Sequence, residues 1–252
     1  MLRPNVQIFP SDRAAARALA RRIVATLAQN PRLVLGLPTG KTPVGFYHEL
    51  ASIASAGHAD FSQATTFNLD EFLGIAPTHP GSYRQFMEQH LFSRVNLQPE
   101  HVHFLDGSAS DPEAECRRYD QAIEEAGGID IQILGIGTNG HIGFNEPGSE
   151  LHARSHRVTL RPETRRSNAA LFNGDPQAVP REALSMGMAT ILQARAIVLL
   201  ATGRSKAMCV ERLVDGPITT ALPASFLQLH HDVTVMIDHL AAERLRSERA
   251  PK

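Results

Sequence analysis

The sequence predicts an α/β fold, a mostly parallel sheet flanked by helices in a three-layer, Rossmann-like arrangement. Two observations carry this. Short apolar runs alternate with helix-patterned segments of about ten residues or more, the signature of strand–crossover–strand units with right-handed connections. In addition, polar clusters at 38–43, 70–71, 138–146 and 202–206 each fall just past the end of a predicted strand. Open α/β sheets bind their ligands beyond the carboxyl ends of the strands, where these clusters fall.

Val6 to Phe9 reads as the first strand, and Ser11 can cap a helix through the Ala/Arg-rich stretch to Ala28. Arg32 to Leu37 is a buried-type strand. Pro38-Thr-Gly-Lys-Thr-Pro43 is a turn, with Thr42 as N-cap and Pro43 as the first residue of a helix to Ser55. Thr65 to Leu69 is a strand ending at Asp70-Glu71; a loop at Pro77 to Gly81 precedes a helix from Ser82 to Phe92. A strand at Val102 to Leu105, a helix at Pro112 to Ala126 and a strand at Ile131 to Leu134 follow. Arg157 to Leu160 alternates like an exposed strand, and Pro180 to Leu192 looks helical. Ala196 to Ala201 is a buried strand, Arg204 to Val214 a helix, and Val233 to Ile237 the last strand before a terminal helix, with the charged residues 243–252 expected to fray. There is no repeat, low-complexity tract or long linker, so residues 1–252 are expected to form one domain.

Composition narrows the function. The formal net charge is −1 over 252 residues, with no basic tail or stripe, which argues against nucleic acid as a partner. Cys116 and Cys209 lie far apart, as suits a reduced cytoplasmic protein, and CxxC metal spacing is absent. Met1 to Asn5 has no apolar signal core, and no apolar run approaches a membrane span.

The most informative segment is Leu134-Gly-Ile-Gly-Thr-Asn-Gly-His-Ile-Gly-Phe-Asn-Glu-Pro-Gly148. Its glycines let the backbone take positive φ and approach a ligand closely. His141 can exchange a proton near neutral pH, and Glu146 could accept that proton or hold the ring. The other histidines lack such surroundings, and neighbours such as His230-His231 rarely ligate one metal. Asp70, with Glu71 beside it, reads either as helix capping and loop solvation or as a general base over a substrate carbon. In the Pro38–Pro43 turn, Thr39, Gly40, Lys41 and Thr42 offer backbone N–H groups, hydroxyls and a charge to an oxyanion at a helix start; the plain alternative is a capped turn. It is not a Walker loop, since the GxxxxGK[ST] spacing is missing. Lys206, at a second strand-to-helix junction, either completes a phosphate clamp or is solvated.

Nearly the whole chain resembles the glucosamine-6-phosphate deaminase family, within the superfamily that includes 6-phosphogluconolactonase. The resemblance is carried by Leu35-Gly-Leu-Pro-Thr-Gly-Lys-Thr-Pro43, Thr66-Phe-Asn-Leu-Asp-Glu-Phe72, Gly81-Ser-Tyr83, Gly137-Thr-Asn-Gly-His-Ile-Gly-Phe-Asn-Glu-Pro147, Ser205-Lys-Ala207 and Leu222-Pro-Ala-Ser-Phe-Leu-Gln-Leu-His230. Phe-Asn-Glu-Pro discriminates, because lactonases of the superfamily look different beyond the histidine. The resemblance implies conversion of glucosamine 6-phosphate and water to fructose 6-phosphate and ammonia, a step of amino sugar catabolism. It implies that His141 opens the pyranose by moving a proton between the ring oxygen and the anomeric hydroxyl. Asn139 and Glu146 would orient and tune that imidazole, and Asp70 would carry the C2 proton towards C1. No redox change occurs, so no nicotinamide or metal is required. The expected partner is a small sugar phosphate, with homo-oligomerisation left open. Larger members are hexamers activated by an N-acetylated sugar phosphate; this chain is short at its C-terminus and is expected to be non-allosteric. The alternatives are a lactonase-like hydrolase or other isomerase on the same scaffold, and a non-catalytic sugar-phosphate sensor.

The chain departs from the family pattern twice. Better-known members have Asp where this chain has Asn139, which can accept the imidazole N–H through its carbonyl oxygen but supplies no negative charge. Ala170 replaces a phosphate-contacting Arg; Lys41, where many members have a small residue, is the expected replacement, with Arg165 and Arg166 as rivals. Two outcomes follow. In an NMR titration, Asn139→Asp raises the His141 pKa; an unchanged value removes the charge argument. Lys41→Gly raises KM for the phosphorylated sugar; an unchanged KM removes the compensation.

Overall fold

The computed structural model describes residues 4–245. The 246–252 part of the tail expected to fray lies outside the described residues. The strands are β1 (Asn5–Phe9), β2 (Val34–Leu37), β3 (Thr65–Asn68), β4 (Asp70–Phe72), β5 (Val102–His103), β6 (Ile131–Leu134), β7 (His156–Thr159), β8 (Glu182–Ser185), β9 (Ala196–Ala201) and β10 (Val233–Asp238). The helices are α1 (Asp12–Gln29), α2 (Val44–Ser55), α3 (Tyr83–His90), α4 (Pro112–Glu125), α5 (Pro162–Asn168), α6 (Met188–Leu192), α7 (Ala207–Asp215) and α8 (His239–Ala242).

Seven strands form one sheet in the order β1-β10-β9-β6-β2-β3-β5, every pairing parallel. Side chains alternate across it, as the pleat requires. Leu35, Leu37, Ile131, Ile133, Val198 and Leu200 join the apolar sides of α1, α2 and α3. Val34, Leu134, Ile197, Leu199, Val235 and Ile237 join those of α4, α7 and α8 on the other face. The three-layer α/β expectation holds. Among the described residues no helix is long and apolar enough to cross a membrane.

Most local signals act as the sequence suggests. Ser11, Ser82 and Asp111 each accept a backbone N–H three residues on and start α1, α3 and α4. The turn before α2 differs: Pro43 is the N-cap, no side chain caps the helix, and the helix starts at Val44, so Thr42 keeps its hydroxyl free of the capping bond expected of it.

A second, three-stranded antiparallel sheet, β4-β8-β7, was not foreseen. Two expectations are corrected there. Residues 180–192 are not one helix: Glu182–Ser185 is β8, and only Met188–Leu192 is helical. The Glu, Ala, Leu and Met content favours a helix locally, but pairing to strands on both sides overrides that propensity. Gly187 fixes the break, since a Cβ there would lie 2.1 Å from the Arg154 carbonyl oxygen. Asp70-Glu71 likewise does not end the strand before it. The chain leaves the large sheet after Asn68, and Asp70 opens β4 opposite Ser185. Leu69 spans the junction: its N–H donates to the Leu37 carbonyl at 3.2 Å and its carbonyl accepts from Met186 at 2.8 Å.

The second sheet also holds the glycine-dense loop. Ser185 Oγ accepts the Phe144 N–H at 3.1 Å, and Asn145 Nδ2 donates to the carbonyls of Ile142 and Met186 at 2.9 and 2.8 Å. Ser185→Ala leaves a buried N–H unpaired and is expected to cost about 1–3 kcal/mol in urea unfolding; an unchanged midpoint would show that the loop is held by other contacts.

Candidate active site

The four polar clusters leave the carboxyl ends of β9, β6, β2 and β3, and these strands are consecutive in the sheet. Adjacency in the sheet therefore brings together residues scattered from 39 to 206.

Asp70 is 6 % exposed. Burial is the first cause that lifts its pKa to about 8, and the neighbouring Glu71 charge adds to it; a hydrogen bond from the Thr39 side chain pulls the other way. Asp70 Oδ1 is buried with no hydrogen-bond partner among the described residues. The histidine loop passes close by: a Cβ on Gly143, whose φ is +56°, would lie 3.6 Å from Asp70 Oδ2. Glu71 does different work. Its carboxylate accepts the N–H groups of Phe72, Tyr83 and Arg84 at 2.8, 2.9 and 3.0 Å and so pins the start of α3 to β4. Burial still outweighs those bonds and holds its pKa near 7.

His141 stacks over Gly137, where a Cβ would lie 2.3 Å from the ring; a Cβ on Gly140 would meet Leu222 at 2.1 Å. These two glycines are required by the ring on one side and the 222–229 segment on the other. His141 Nδ1 lies 3.7 Å from Glu146 Oε2, beyond hydrogen-bond reach, and has no partner among the described residues. Burial lowers the His141 pKa; Glu146 opposes this and the Lys206 charge adds to it.

Asn139 does not hold the imidazole as expected. Its Oδ1 accepts the His141 backbone N–H at 3.2 Å and its Nδ2 donates to Glu146 Oε2 at 2.9 Å. The reason is chemical: a carboxylate only accepts and a backbone N–H only donates, so the amide is fixed between them. The other Glu146 oxygen accepts the hydroxyl of buried Thr164.

On the far side, Gly40 has φ +99° in the turn after β2, with Thr39 and Thr42 half-buried and Lys41 exposed. Lys206 is half-buried and its pKa is lowered by burial, which fits a charge facing the site rather than bulk solvent. The loop that carries it is anchored where the Gly203 N–H donates to the Asp238 carboxylate at 3.0 Å. The two rivals to Lys41 are otherwise engaged. Arg165 donates to the carbonyls of Val179 and Gln177, both at 3.0 Å, and Arg166 pairs with Glu163 at 2.8 Å. Lys41 makes no side-chain ion pair among the described residues.

Thr164, Asn168 and the Tyr83 hydroxyl also border the site, and sequence reasoning gave none of them a role. Tyr83 donates to Asn168 Oδ1 at 2.9 Å, and the Asp70 charge acts on its ionisation. Gly81-Ser-Tyr83 was the signal for Tyr83; α5, at seven residues, has too little periodicity to be seen. A cavity of about 790 Å³ between α4 and residues 154–157 is separate from this cluster.

The profile of the glucosamine-6-phosphate isomerase/6-phosphogluconolactonase family matches residues 11–236. Glucosamine-6-phosphate deaminase 2 of Bacillus subtilis (strain 168) is 53 % identical over 215 residues, covering 85 % of this chain and 86 % of that protein. Glucosamine-6-phosphate deaminase of Halothermothrix orenii is 48 % identical over 241 residues, covering 96 % of this chain and all of that one. A solved structure described as a monomeric glucosamine-6-phosphate deaminase is 43 % identical with a TM-score of 0.91, over 95 % of this chain and 99 % of that chain. A 6-phosphogluconolactonase from Trypanosoma cruzi, at 20 % identity and a TM-score of 0.76 over 97 % of this chain and 98 % of that one, shares the fold. The chain belongs to the glucosamine-6-phosphate isomerase/6-phosphogluconolactonase family.

Proposed function

We propose that the chain is a glucosamine-6-phosphate deaminase, converting glucosamine 6-phosphate and water to fructose 6-phosphate and ammonia. The observation that carries this reading is the placement of a buried carboxyl with a raised pKa, Asp70, beside an imidazole–carboxylate pair, His141 and Glu146, at adjoining strand ends. The reaction needs these two kinds of group. Ring opening needs one that both accepts and donates a proton near neutrality, and a neutral imidazole does so through its two nitrogens. Moving hydrogen from C2 to C1 needs a carboxylate made basic by burial.

In this mechanism His141 takes the anomeric hydroxyl proton and returns one to the ring oxygen, with Glu146 facing its Nδ1 and Asn139 fixing Glu146 and the His141 backbone. Asp70 then removes the C2 proton of the open chain, O1 takes up the proton that the C2 ammonium releases, and Asp70 delivers its own proton to C1. The enolamine becomes an iminium at C2, and water adds there and expels ammonia, leaving the ketose. Thr39, Gly40, Lys41, Thr42 and Lys206 hold the phosphate. The deaminase names of relatives at 43 to 53 % identity favour this over lactone hydrolysis.

The site draws on residues from 39 to 206, which supports reading residues 1–252 as one domain and the single chain as a sufficient catalytic unit. Two free, buried cysteines and a phosphorylated substrate support a cytoplasmic location.

A coupled assay on glucosamine 6-phosphate is expected to release ammonia and fructose 6-phosphate in equal amounts; lactone hydrolysis without ammonia release overturns the reading. Asp70→Asn should lower kcat by about 10³-fold. Because Asp70 must be ionised to act, kcat/KM is expected to climb as pH rises through about 8. Stability runs the opposite way. The folded state keeps the Asp70 proton above the ordinary carboxylate value of 3.8 and the unfolded chain does not, so stability falls as pH rises from about 4 to 8. Asp70→Asn removes that penalty and should gain roughly 5 kcal/mol over wild type at pH 9 but nothing near pH 3.5; equal gains at both values would point to a packing effect.

A further inference from the structure

Helix α5 is attached to both proton-handling groups. Thr164 and Asn168 stand one helical turn apart on the same face. The Thr164 hydroxyl donates to Glu146 Oε1, the carboxylate whose other oxygen faces His141. Asn168 Oδ1 accepts the Tyr83 hydroxyl at 2.9 Å, while Asn168 Nδ2 donates to the Thr164 carbonyl at 3.0 Å, so this side chain has one orientation. Tyr83 opens α3, whose first N–H groups are tied to Glu71, the residue after Asp70. The Tyr83 ring is buried against Phe72, with centroids 4.7 Å apart, and its hydroxyl lies close to both Asp70 and Thr39. One short helix thus touches the ring-opening pair through Thr164 and the wall of the isomerisation base through Asn168.

We propose that Thr164 and Asn168 are positioning residues for the deaminase reaction, Thr164 acting through Glu146 on His141 and Asn168 acting through Tyr83 on the Asp70–Thr39 wall. This rests on the function argued above. Glu146 receives one donor on each oxygen, and without Thr164 only Asn139 holds it, so the carboxylate can turn away from Nδ1. Without Asn168 the Tyr83 hydroxyl loses its acceptor and is free to compete for Thr39 or Asp70. The first loss slows ring opening and the second slows C2 proton transfer. Coupling the two through one helix keeps the open-chain sugar, once formed, in register with the base that must act on it.

The test separates the two steps with glucosamine 6-phosphate deuterated at C2. Thr164→Val should lower kcat about tenfold, the loss expected for one hydrogen bond to a charged group. It should also pull the C2 isotope effect towards unity, because ring opening then limits turnover. Thr164→Ser should restore both. Asn168→Ala should lower kcat with an isotope effect at or above that of wild type, and adding Tyr83→Phe should cost little more. Both variants losing activity with an unchanged isotope effect and a lowered Tm would overturn the proposal, as would a Thr164→Val enzyme with wild-type kcat. An NMR titration of His141 answers independently of turnover. Thr164→Val should lower its pKa, because a Glu146 carboxylate that turns away from Nδ1 no longer favours the protonated ring; an unmoved pKa overturns the Thr164 arm. Absence of ammonia release by the wild-type enzyme would instead count against the deaminase reading.

Discussion

A carboxyl group buried at the seam between two sheets is the constraint around which this molecule is arranged. Asp70 and Glu71 are neighbours in one short strand, so their side chains leave it in opposite directions, and the surroundings treat them differently. Glu71 collects three backbone N–H groups, two at the start of α3 and one from Phe72 beside it in β4. Asp70 has the Thr39 side chain and an oxygen with no partner among the described residues. Both are deeply buried, and both hold their protons more tightly than a solvated carboxyl, yet the one with fewer donors is shifted further, to about 8 against about 7. Two acids side by side are thus given separate tasks by the number of N–H groups aimed at each. One anchors a helix; the other keeps its basicity.

Keeping Asp70 there requires the second sheet. A carboxyl at the open end of β3 would face solvent, and its pKa would relax. Leu69 bonded to both sheets, β4 paired to β8, and the Phe144 N–H bonded to Ser185 close the space around it from three sides. The loop carrying His141 is held by the same strand, β8, that pairs with the Asp70 strand. Acid–base loop and base therefore share a support.

The large sheet was legible in the sequence because its central strands, such as Val34–Leu37, Ile131–Leu134 and Ala196–Ala201, are buried on both faces and read as largely apolar runs. The strand-end rule then located the site, since Pro38–Pro43, Asp70, His141 and Lys206 all lie past the ends of predicted strands. What escaped detection was structure made by pairing rather than by pattern. β4 has three residues, and β8 carries helix-forming ones, so neither announces a strand locally. The role of Asn139 was misjudged for a related reason. The resemblance suggested the imidazole as partner, whereas the fold brings Glu146 and the His141 backbone to its amide instead. Thr164 and Asn168 depend on contacts made across more than a dozen residues of chain and leave no local mark.

The choice of amide at position 139 follows from what surrounds it. Glu146 Oε2 lies 2.9 Å from Asn139 Nδ2, a separation at which two carboxylates strongly disfavour each other's ionised form. An aspartate there would have to share a proton with Glu146 or move away, and with both ionised it would draw a proton onto His141. Asn139 avoids the conflict by donating. It leaves Glu146 as the negative charge acting on a ring whose burial, with Lys206 nearby, already disfavours protonation. The imidazole is thereby biased to its neutral form, which has one nitrogen to take a proton and another to give one. Opening a sugar ring demands that pairing, since the proton leaving the anomeric hydroxyl and the proton reaching the ring oxygen belong to the same event.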